Sequence, residues 1–233
     1  MTDTPQPNRR DAIIDALMRL AAEQPWNDIE VTDIARAAGV TLSEFRELFP
    51  SKGAVLGAFA RRIDRQVLDG TSDDLADEPA RERLFDVLMR RLDALTPYKE
   101  ALRRISFAVR GDLVTMAALN QVALNSQRFM LAAAGISTEG PLGTLKIQGT
   151  VIAFARTLET WLEDDDPALA RTMARLDREI RGGERFMERA EDFRRLTAPV
   201  RAIGAALFER RRRSRRRPER WTDEDQGDPA AAI

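Results

Sequence analysis

Residues 31–52 read VTDIARAAGVTLSEFRELFPSK, and this stretch predicts two short helices that meet at a glycine. In its first half the apolar residues recur at spacings of three and four, so one face of the first helix is expected to be buried. Gly39 is expected to end this helix, because glycine adopts a left-handed backbone conformation at little steric cost. The apolar positions of the first helix are Val31, Ile34, Ala35 and Ala38.

The second helix is expected to begin at Thr41. Thr41-Leu42-Ser43-Glu44 fits a capping box, in which the Thr hydroxyl and the Glu carboxylate each accept from a backbone amide of the first turn. Pro50 interrupts the pattern, and Ser51 can cap a further helix. A helix, a glycine turn and a second helix form a helix-turn-helix, whose second helix can enter the major groove of DNA. The apolar residues of the second helix are Phe45, Leu48 and Phe49.

With residues 9–20 before it and 53–68 after it, this stretch resembles the N-terminal domain of TetR-family transcriptional regulators. The matching features are the amphipathic opening DAIIDALMRLAAEQ, Trp26 and Ile29 before the motif, VTDIARAAGV, and the ending LFPSKGAVL. Together they cover about a quarter of the chain. The resemblance implies a homodimeric, ligand-responsive regulator, a repressor, that binds a palindromic operator in double-stranded DNA.

Two positions depart from the family pattern. Arg46 stands where the family usually has a tyrosine that contacts a phosphate, and Leu48 stands where an aromatic residue or histidine is usual. Arg46 retains the ability to hold a phosphate, whereas Leu48 does not. Lys52 matches the family lysine that reaches a phosphate from the start of the fourth helix, where the helix dipole also favours an anion. The residues expected to contact DNA are Thr32, Arg36, Thr41, Leu42, Ser43, Arg46 and Lys52.

The charge of this N-terminal part is slightly negative. Residues 1–70 contain nine Lys and Arg against eleven Asp and Glu, which counts against a strong affinity for phosphate. Glu44 is accounted for by the capping box. Glu47 has no such role, so it either accepts a hydrogen bond from a cytosine amino group or marks a helix that does not read DNA.

Composition excludes several classes of site. The 233 residues include 43% hydrophobic residues, enough for a substantial core, but no cysteine and no histidine. Disulfides, thiolate sites, histidine-based triads and histidine-bound zinc are therefore absent, and we predict a non-enzymatic protein without cofactor or metal. No apolar run approaches the roughly 20 residues of a membrane span, and the polar start MTDTPQPNRR does not resemble a signal peptide. We expect a cytoplasmic protein.

The remainder of the chain shows helical periodicity between Pro and Gly breaks, which predicts an all-α fold. Three parts are expected: a helix-turn-helix domain over 9–69, a helical ligand-binding and dimerisation domain over 75–208, and an Arg-rich tail over 209–233. Gly182 and Gly183 are expected to stop a helix. The three aspartates at 164–166 are expected to cap a helix rather than to bind a metal. Beyond residue 75, helices are predicted at 80–95, 98–109, 113–134, 142–163 and 168–181.

The second domain is expected to hold a small apolar effector, as the family resemblance implies. The predicted helix 142–163 is apolar on more than one face, as expected if one face meets the core and another meets a second copy. The candidate pocket residues include methionine and aromatic side chains, which suit apolar ligands, although each is also suited to a plain core. They are Phe107, Met116, Leu119, Phe129, Met130 and Trp161.

A second resemblance points to a different function. Residues 81–105 and 157–180 are similar to the TetR-like lipid-binding proteins of ubiquinone biosynthesis, which share the fold, have lost ordinary DNA reading and bind isoprenoid lipid. The acidic N-terminal part and Leu48 agree with this alternative, whereas Lys52 and the regular helix-turn-helix agree with DNA binding. A non-enzymatic lipid-binding accessory protein is therefore the alternative hypothesis.

The tail is distinguished by its charge. Residues 209–220 contain eight arginines, followed by Trp221 and an acidic end. Such a block repels itself and is expected to be disordered or to form a frayed extension of the preceding helix. It is suited to contact DNA phosphates or an anionic membrane surface, or it is a solvated tail without a partner.

Overall fold

The computed structural model describes residues 8–70, 75, 77–109 and 113–190 of the chain. Over these ranges the chain is built from helices joined by turns, without a strand, and the predicted all-α fold class is confirmed. Residues 170–190 are also helical and are called α9 here. The other helices are α1 (Arg9–Glu23), α2 (Val31–Ala38), α3 (Leu42–Leu48), α4 (Lys52–Asp69), α5 (Ala80–Leu95), α6 (Lys99–Val109), α7 (Leu113–Ala133) and α8 (Gly143–Leu162).

The helix ends of the N-terminal part follow from local side-chain chemistry. Gly39 ends α2 with φ of 68°, in the left-handed region that glycine occupies without strain. The Thr41 hydroxyl accepts from the Glu44 amide at 3.2 Å, and the Glu44 carboxylate accepts from the Thr41 amide at 2.8 Å, so the predicted capping box is confirmed. Ser51 accepts from the Ala54 amide at 3.2 Å and caps α4, as predicted.

One predicted break is wrong. Gly182 and Gly183 lie inside α9 rather than ending a helix. Both are exposed, and a side chain added at either would meet nothing within 4 Å, so neither glycine is required by packing. An exposed glycine in a helix interior costs only about 1 kcal/mol relative to alanine, and the surrounding helix tolerates that cost.

Residues 1–186 form one compact unit. Within its described part, α1 packs against α2, α4 and α6, while α4 packs against α5 and α7. The predicted division near residue 70 stays a prediction. Residues 187–233 form a second unit that is described only as far as residue 190, so the predicted tail at 209–233 lies outside the described residues. Side chains buried in the first unit include Ile13, Leu17, Ile34, Phe49, Val55, Ile63, Leu88, Leu92 and Leu176.

Helix α4 joins the N-terminal helices to the helices that follow. The Phe59 ring meets the Tyr98 ring edge-on, with centroids 4.8 Å apart. Arg62 bridges the two parts, because its guanidinium pairs with Asp15 of α1 at 2.7 Å and donates to the Tyr98 hydroxyl at 3.2 Å. These contacts hold α4 against both α1 and the turn before α6.

Side chains of α6 and the loop after α8 close the end of α8. Arg103 donates to the Leu162 carbonyl at 2.7 Å, and Lys99 donates to the Asp164 carbonyl at 2.6 Å, as cations do at a helix C-terminus. The buried Asp164 carboxylate accepts from the Thr172 amide at 3.0 Å and from its hydroxyl at 2.7 Å. The predicted capping role of this acidic turn is confirmed.

Neither a membrane span nor a metal cluster is found in the part of the chain that the structure describes. Its helices are too short or too polar to cross a bilayer. Its acidic side chains form no group of three or more that could hold a metal ion.

Candidate nucleic-acid interface

Helix α3 has one buried side and one outward side. Phe45 points into the core, and Phe49, just after the helix, is almost fully buried with its ring centroid 6.2 Å from that of Phe45. The outward side carries Leu42, whose side chain is 51% exposed. Ser43, Arg46 and Glu47 are exposed on the same side. These four residues are called the outward quartet below.

Hydrogen bonds and an ion pair that involve Thr41 and Glu44 hold the first turn of α3. The Glu44 carboxylate accepts from the Thr41 amide and hydroxyl and pairs with Arg9 of α1 at 2.7 Å. The hydrogen bond from the Thr41 backbone, with help from the Thr41 hydroxyl and the charge of Arg9, lowers the pKa of Glu44. The residue is therefore a charged cap that positions α3, and the Thr41 hydroxyl already has partners inside the protein.

Lys52 also has partners inside the protein. Its ammonium donates to the Trp26 carbonyl at 2.6 Å and to the Ile29 carbonyl at 2.9 Å, and it lies 4.3 Å from the centroid of the Trp26 ring. Partial burial lowers the pKa of Lys52. The lysine thus fixes the turn that precedes α2 against the start of α4. Its expected contact with phosphate stays a prediction, and it would have to use the remaining N–H.

The two candidate contacts on α2 are engaged with neighbouring acids. The Thr32 hydroxyl donates to the Glu30 carboxylate at 3.2 Å, and Arg36 pairs with Asp33 at 3.0 Å. The Arg36 side chain nevertheless remains largely exposed, so its ion pair is accessible to competition from a phosphate.

Most cations among residues 8–70 have an internal partner. Arg10 lies 4.6 Å from the centroid of the Phe49 ring, and Arg19 donates to the Ala37 carbonyl at 3.1 Å. Within the described residues Arg46 has no hydrogen bond, ion pair or ring contact, and it is the one cation on α3. The outward quartet therefore presents one uncommitted positive charge beside the carboxylate of Glu47.

The candidate pocket residues do not converge on one place. Phe107 is 79% exposed, and Met116 and Phe129 are also exposed. Met130 and Trp161 are almost completely buried. Leu119 is half-buried against the core. The side chains are thus divided between surface and core, and a ligand-binding role for any of them stays a prediction.

Sequence reasoning missed a buried polar cluster at the middle of the first unit. Arg91 of α5 donates to Asp64 of α4, and the Ser126 hydroxyl of α7 donates to the same carboxylate oxygen at 2.6 Å. One signal was present: Asp64 interrupts the apolar face of α4 next to Ile63. A carboxylate at such a position requires a partner, but the sequence does not say which helix supplies it.

The chain is 31% identical over 115 residues to the HTH-type transcriptional regulator EthR of Mycobacterium tuberculosis, a match that covers 48% of this chain and 53% of that protein. The chain therefore spans about half the length of the curated relatives that it matches. No family model matches the chain.

Two solved structures share the fold. The TetR transcriptional regulator from Nitrosomonas europaea superimposes with a TM-score of 0.61 at 23% identity, over 76% of this chain and 98% of that one. A TetR transcriptional regulator from Rhodococcus sp. RHA1 gives a TM-score of 0.58 at 18% identity, over 75% and 94% of the two chains. At these identities the likeness shows a common fold.

Proposed function

We propose that this chain, a TetR-type transcriptional regulator by its fold and by its similarity to a curated regulator, binds a specific DNA operator and represses transcription. The observation that carries the proposal is the outward quartet of α3. It is exposed on a helix whose opposite side is anchored by Phe45 and whose first turn is closed by the capping box. An exposed, rigidly held face without a role in the core is what a groove-binding helix requires.

The dimensions of α3 suit the major groove. An α-helix with its side chains is about 10–12 Å in diameter, and the groove is about 12 Å wide. Arg36, whose ion pair with Asp33 on α2 is exposed, would exchange that acidic partner for a phosphate. The Arg-rich segment 209–220, outside the described residues, is a further source of phosphate contacts, and in this function it acts on DNA rather than on a membrane.

A homodimer is part of the same proposal. Two copies would place their α3 helices about one helical turn of DNA apart, on a palindromic operator. The surface that supports this is on α8 and α9, where Leu145, Ile152 and Met173 are exposed apolar side chains. A protein with this function works in the cytoplasm.

Regulation by a small apolar effector would act through α4. This helix contacts α1 of the helix-turn-helix part, and it also contacts α5 and α7 of the part expected to bind the effector. One helix therefore touches both the DNA-binding part and the effector-binding part. An effector that binds between the later helices changes operator affinity only if it prefers one position of α4 over another. Met130, Leu119 and Trp161 are the candidate residues closest to the core of that part.

A binding experiment tests the proposal directly. Purified protein is mixed at near-physiological salt with DNA from upstream of its own gene and its neighbours, in the presence of non-specific competitor. We expect a discrete shifted fragment that resists the competitor. The variant Leu42→Asp places a charge on the outward quartet without touching the core and should abolish the shift. Gln66→Asp, which adds the same charge on an exposed position of α4, should not.

The outcome that would contradict the proposal is binding that disappears with competitor. A lipid-binding accessory protein is then the better candidate, and one observation already favours it: Phe107, Met116 and Phe129 expose apolar surface on α6 and α7. Mass spectrometry of the protein purified under native conditions should in that case detect an isoprenoid or acyl lipid.

A further inference from the structure

We propose that the outward quartet of α3 specifies a G·C-containing operator half-site, in which Arg46 reads a guanine, Glu47 reads a neighbouring cytosine and Leu42 contacts a thymine methyl group. This inference rests on the DNA-binding function proposed above and adds its sequence specificity.

The spacing of the quartet places its members in two adjacent rows. Leu42 and Arg46 are four residues apart, as are Ser43 and Glu47, so each pair lies on one line along the outward side of α3. The first row therefore presents an apolar side chain followed, one turn later, by a cation. The second row presents a hydroxyl followed by a carboxylate. Within a groove, each row faces a different pair of base edges.

Arg46 meets the requirement for a guanine reader. It is exposed and, among the described residues, has no partner that binding would have to displace. Guanine offers two acceptors, O6 and N7, in the major groove, which fit the paired N–H groups of a guanidinium. Adenine places its N6 amino donors at the position of O6 and so opposes a second donor. Arg46 consequently discriminates between the two purines.

Glu47 favours contacts between this surface and DNA bases over contacts with the phosphate backbone of the DNA. Glu47 follows Arg46 in the chain and is exposed on the same outward side, so a phosphate brought to Arg46 would also approach a like charge. A carboxylate brought into the groove needs a donor, and cytosine offers its N4 amino group with no acceptor on its own major-groove edge. Adenine also has an amino group, but its N7 acceptor would repel the second carboxylate oxygen. Glu47 thus favours cytosine over adenine and excludes the phosphate backbone.

Leu42 lies at the start of the helix, the part of a groove-binding helix that comes closest to the base edges. It is half exposed and offers no hydrogen bond, so the complementary feature is the methyl group of thymine. Glu44, which would otherwise add a second carboxylate to this surface, is removed from it by its bonds to Thr41 and Arg9. The half-site therefore contains a thymine about one helical turn of α3 away from the guanine and cytosine.

Selection from a randomised duplex library, followed by sequencing, tests the assignment. The full-length wild-type protein should enrich sites with a G and a C at fixed positions in each half. Arg46→Ala should reduce discrimination for G at one position by about 10- to 100-fold while other positions keep their preference. Arg65→Ala is the matched control, because it removes another exposed arginine, on α4, that has no partner among the described residues, and it should leave every preference unchanged.

The variant Glu47→Gln should change which base is preferred at one position of the operator rather than abolish the preference. A glutamine side chain offers both a donor and an acceptor, which match adenine, so the position that selected C should now select A. This outcome separates base reading from a general effect on affinity. Circular dichroism of each variant confirms that α3 and its surroundings are folded.

Two results distinguish the failure of this inference from the failure of the proposed function. If Arg46→Ala weakens binding equally for all sequences and lowers the salt dependence by about one counterion, Arg46 contacts phosphate and the assignment is wrong, although DNA binding stands. If the wild-type protein enriches no sequence at all, the proposed function itself is wrong.

Discussion

Arg91 of α5 and Asp64 of α4 form an ion pair that is buried between two helices and shared with a third. Arg91 donates to Asp64 and to the Ser126 hydroxyl, and Ser126 donates to Asp64 at 2.6 Å. Burial lowers the pKa of Arg91, and the charge of Asp64 opposes that shift. The Arg91 guanidinium also lies 5.3 Å from the centroid of the Phe154 ring, so the pair connects α4, α5, α7 and α8.

Removing one member of this pair should destabilise the protein strongly. Asp64→Leu leaves a buried cation without its counter-charge, and we expect the free energy of unfolding to fall by about 3–5 kcal/mol. Asp64→Leu combined with Arg91→Met should recover much of that loss, because the double variant leaves no buried charge. Urea denaturation of the three proteins measures both effects. An unchanged Asp64→Leu midpoint would mean that solvent reaches the pair in solution.

An exposed ion pair supplies the control for this prediction. Asp177→Asn breaks the pair between Asp177 and Arg181 on the surface of α9. Because both side chains are accessible to water, the urea midpoint should change little.

Lys52 should contribute to stability whether or not it contacts DNA. Lys52→Met keeps an unbranched side chain but removes both hydrogen bonds to the carbonyls of Trp26 and Ile29, together with the contact of the ammonium with the Trp26 ring. Two backbone acceptors then lose a charged donor, and we expect a loss of about 1–3 kcal/mol in thermal or urea unfolding.

The salt dependence of DNA binding separates the two roles of Lys52. If the third N–H of the ammonium also contacts phosphate, Lys52→Met should make the dependence of affinity on salt shallower by about one counterion. A lower stability with an unchanged salt dependence would show that the lysine acts only inside the protein.

Asp164 should make stability depend on acid pH. Hydrogen bonds from the Thr172 side chain, together with those from the backbone of Thr172 and Asp166, lower the pKa of Asp164 in the folded protein. A carboxylate with a depressed pKa contributes stability that is present above its unfolded pKa and is lost as the pH falls through its folded pKa. Wild type should therefore lose stability from below about pH 4 downward.

The variant Asp164→Asn isolates this contribution, because its amide does not titrate. The urea midpoint of Asp164→Asn should be below that of wild type at pH 7, and the two should approach each other at pH 2–3. A difference that does not change with pH would mean that the charge of Asp164 is not what stabilises the turn.

Only glycine should be tolerated at position 143, because the Thr138 carbonyl lies where a side chain would be. A side chain added there would overlap the Thr138 carbonyl oxygen, so Gly143→Ala forces the backbone of the turn before α8 to move. We expect a marked destabilisation, of about 2 kcal/mol or more, in thermal unfolding. Gly149→Ala on the same helix meets nothing within 4 Å and should instead stabilise the protein by up to about 1 kcal/mol.

Gly149→Ala also bears on the proposed dimer. If Gly149 lies where two copies of α8 approach closely, the added methyl group should weaken dimerisation, which sedimentation at several concentrations detects. Stabilisation without a change in oligomeric state would place the interface elsewhere.

Local signals determined most of the secondary structure. The left-handed glycine after α2, the Thr41–Glu44 capping box and the Ser51 cap involve residues at most four apart, so a short stretch of sequence contains both partners of each interaction. Gly182 and Gly183 are the exception, because glycine is compatible with either a helix end or an exposed helix interior, and the surrounding residues decide between them.

Only the tertiary structure decided which polar side chains bind partners inside the protein and which remain available to contact DNA. Lys52 reaches carbonyls 23 and 26 residues away, and Asp64 meets partners on two other helices, so neither assignment follows from neighbours in the chain. Packing divided the predicted pocket residues in the same way, exposing Phe107 and burying Trp161. The sequence by itself determined the helices, the helix-turn-helix and the type of fold, because these depend on periodicity and short-range capping. Folding brought other side chains and carbonyls to Glu44 and Lys52, which are therefore engaged inside the protein. It left Arg46 and Glu47 exposed and available to contact DNA.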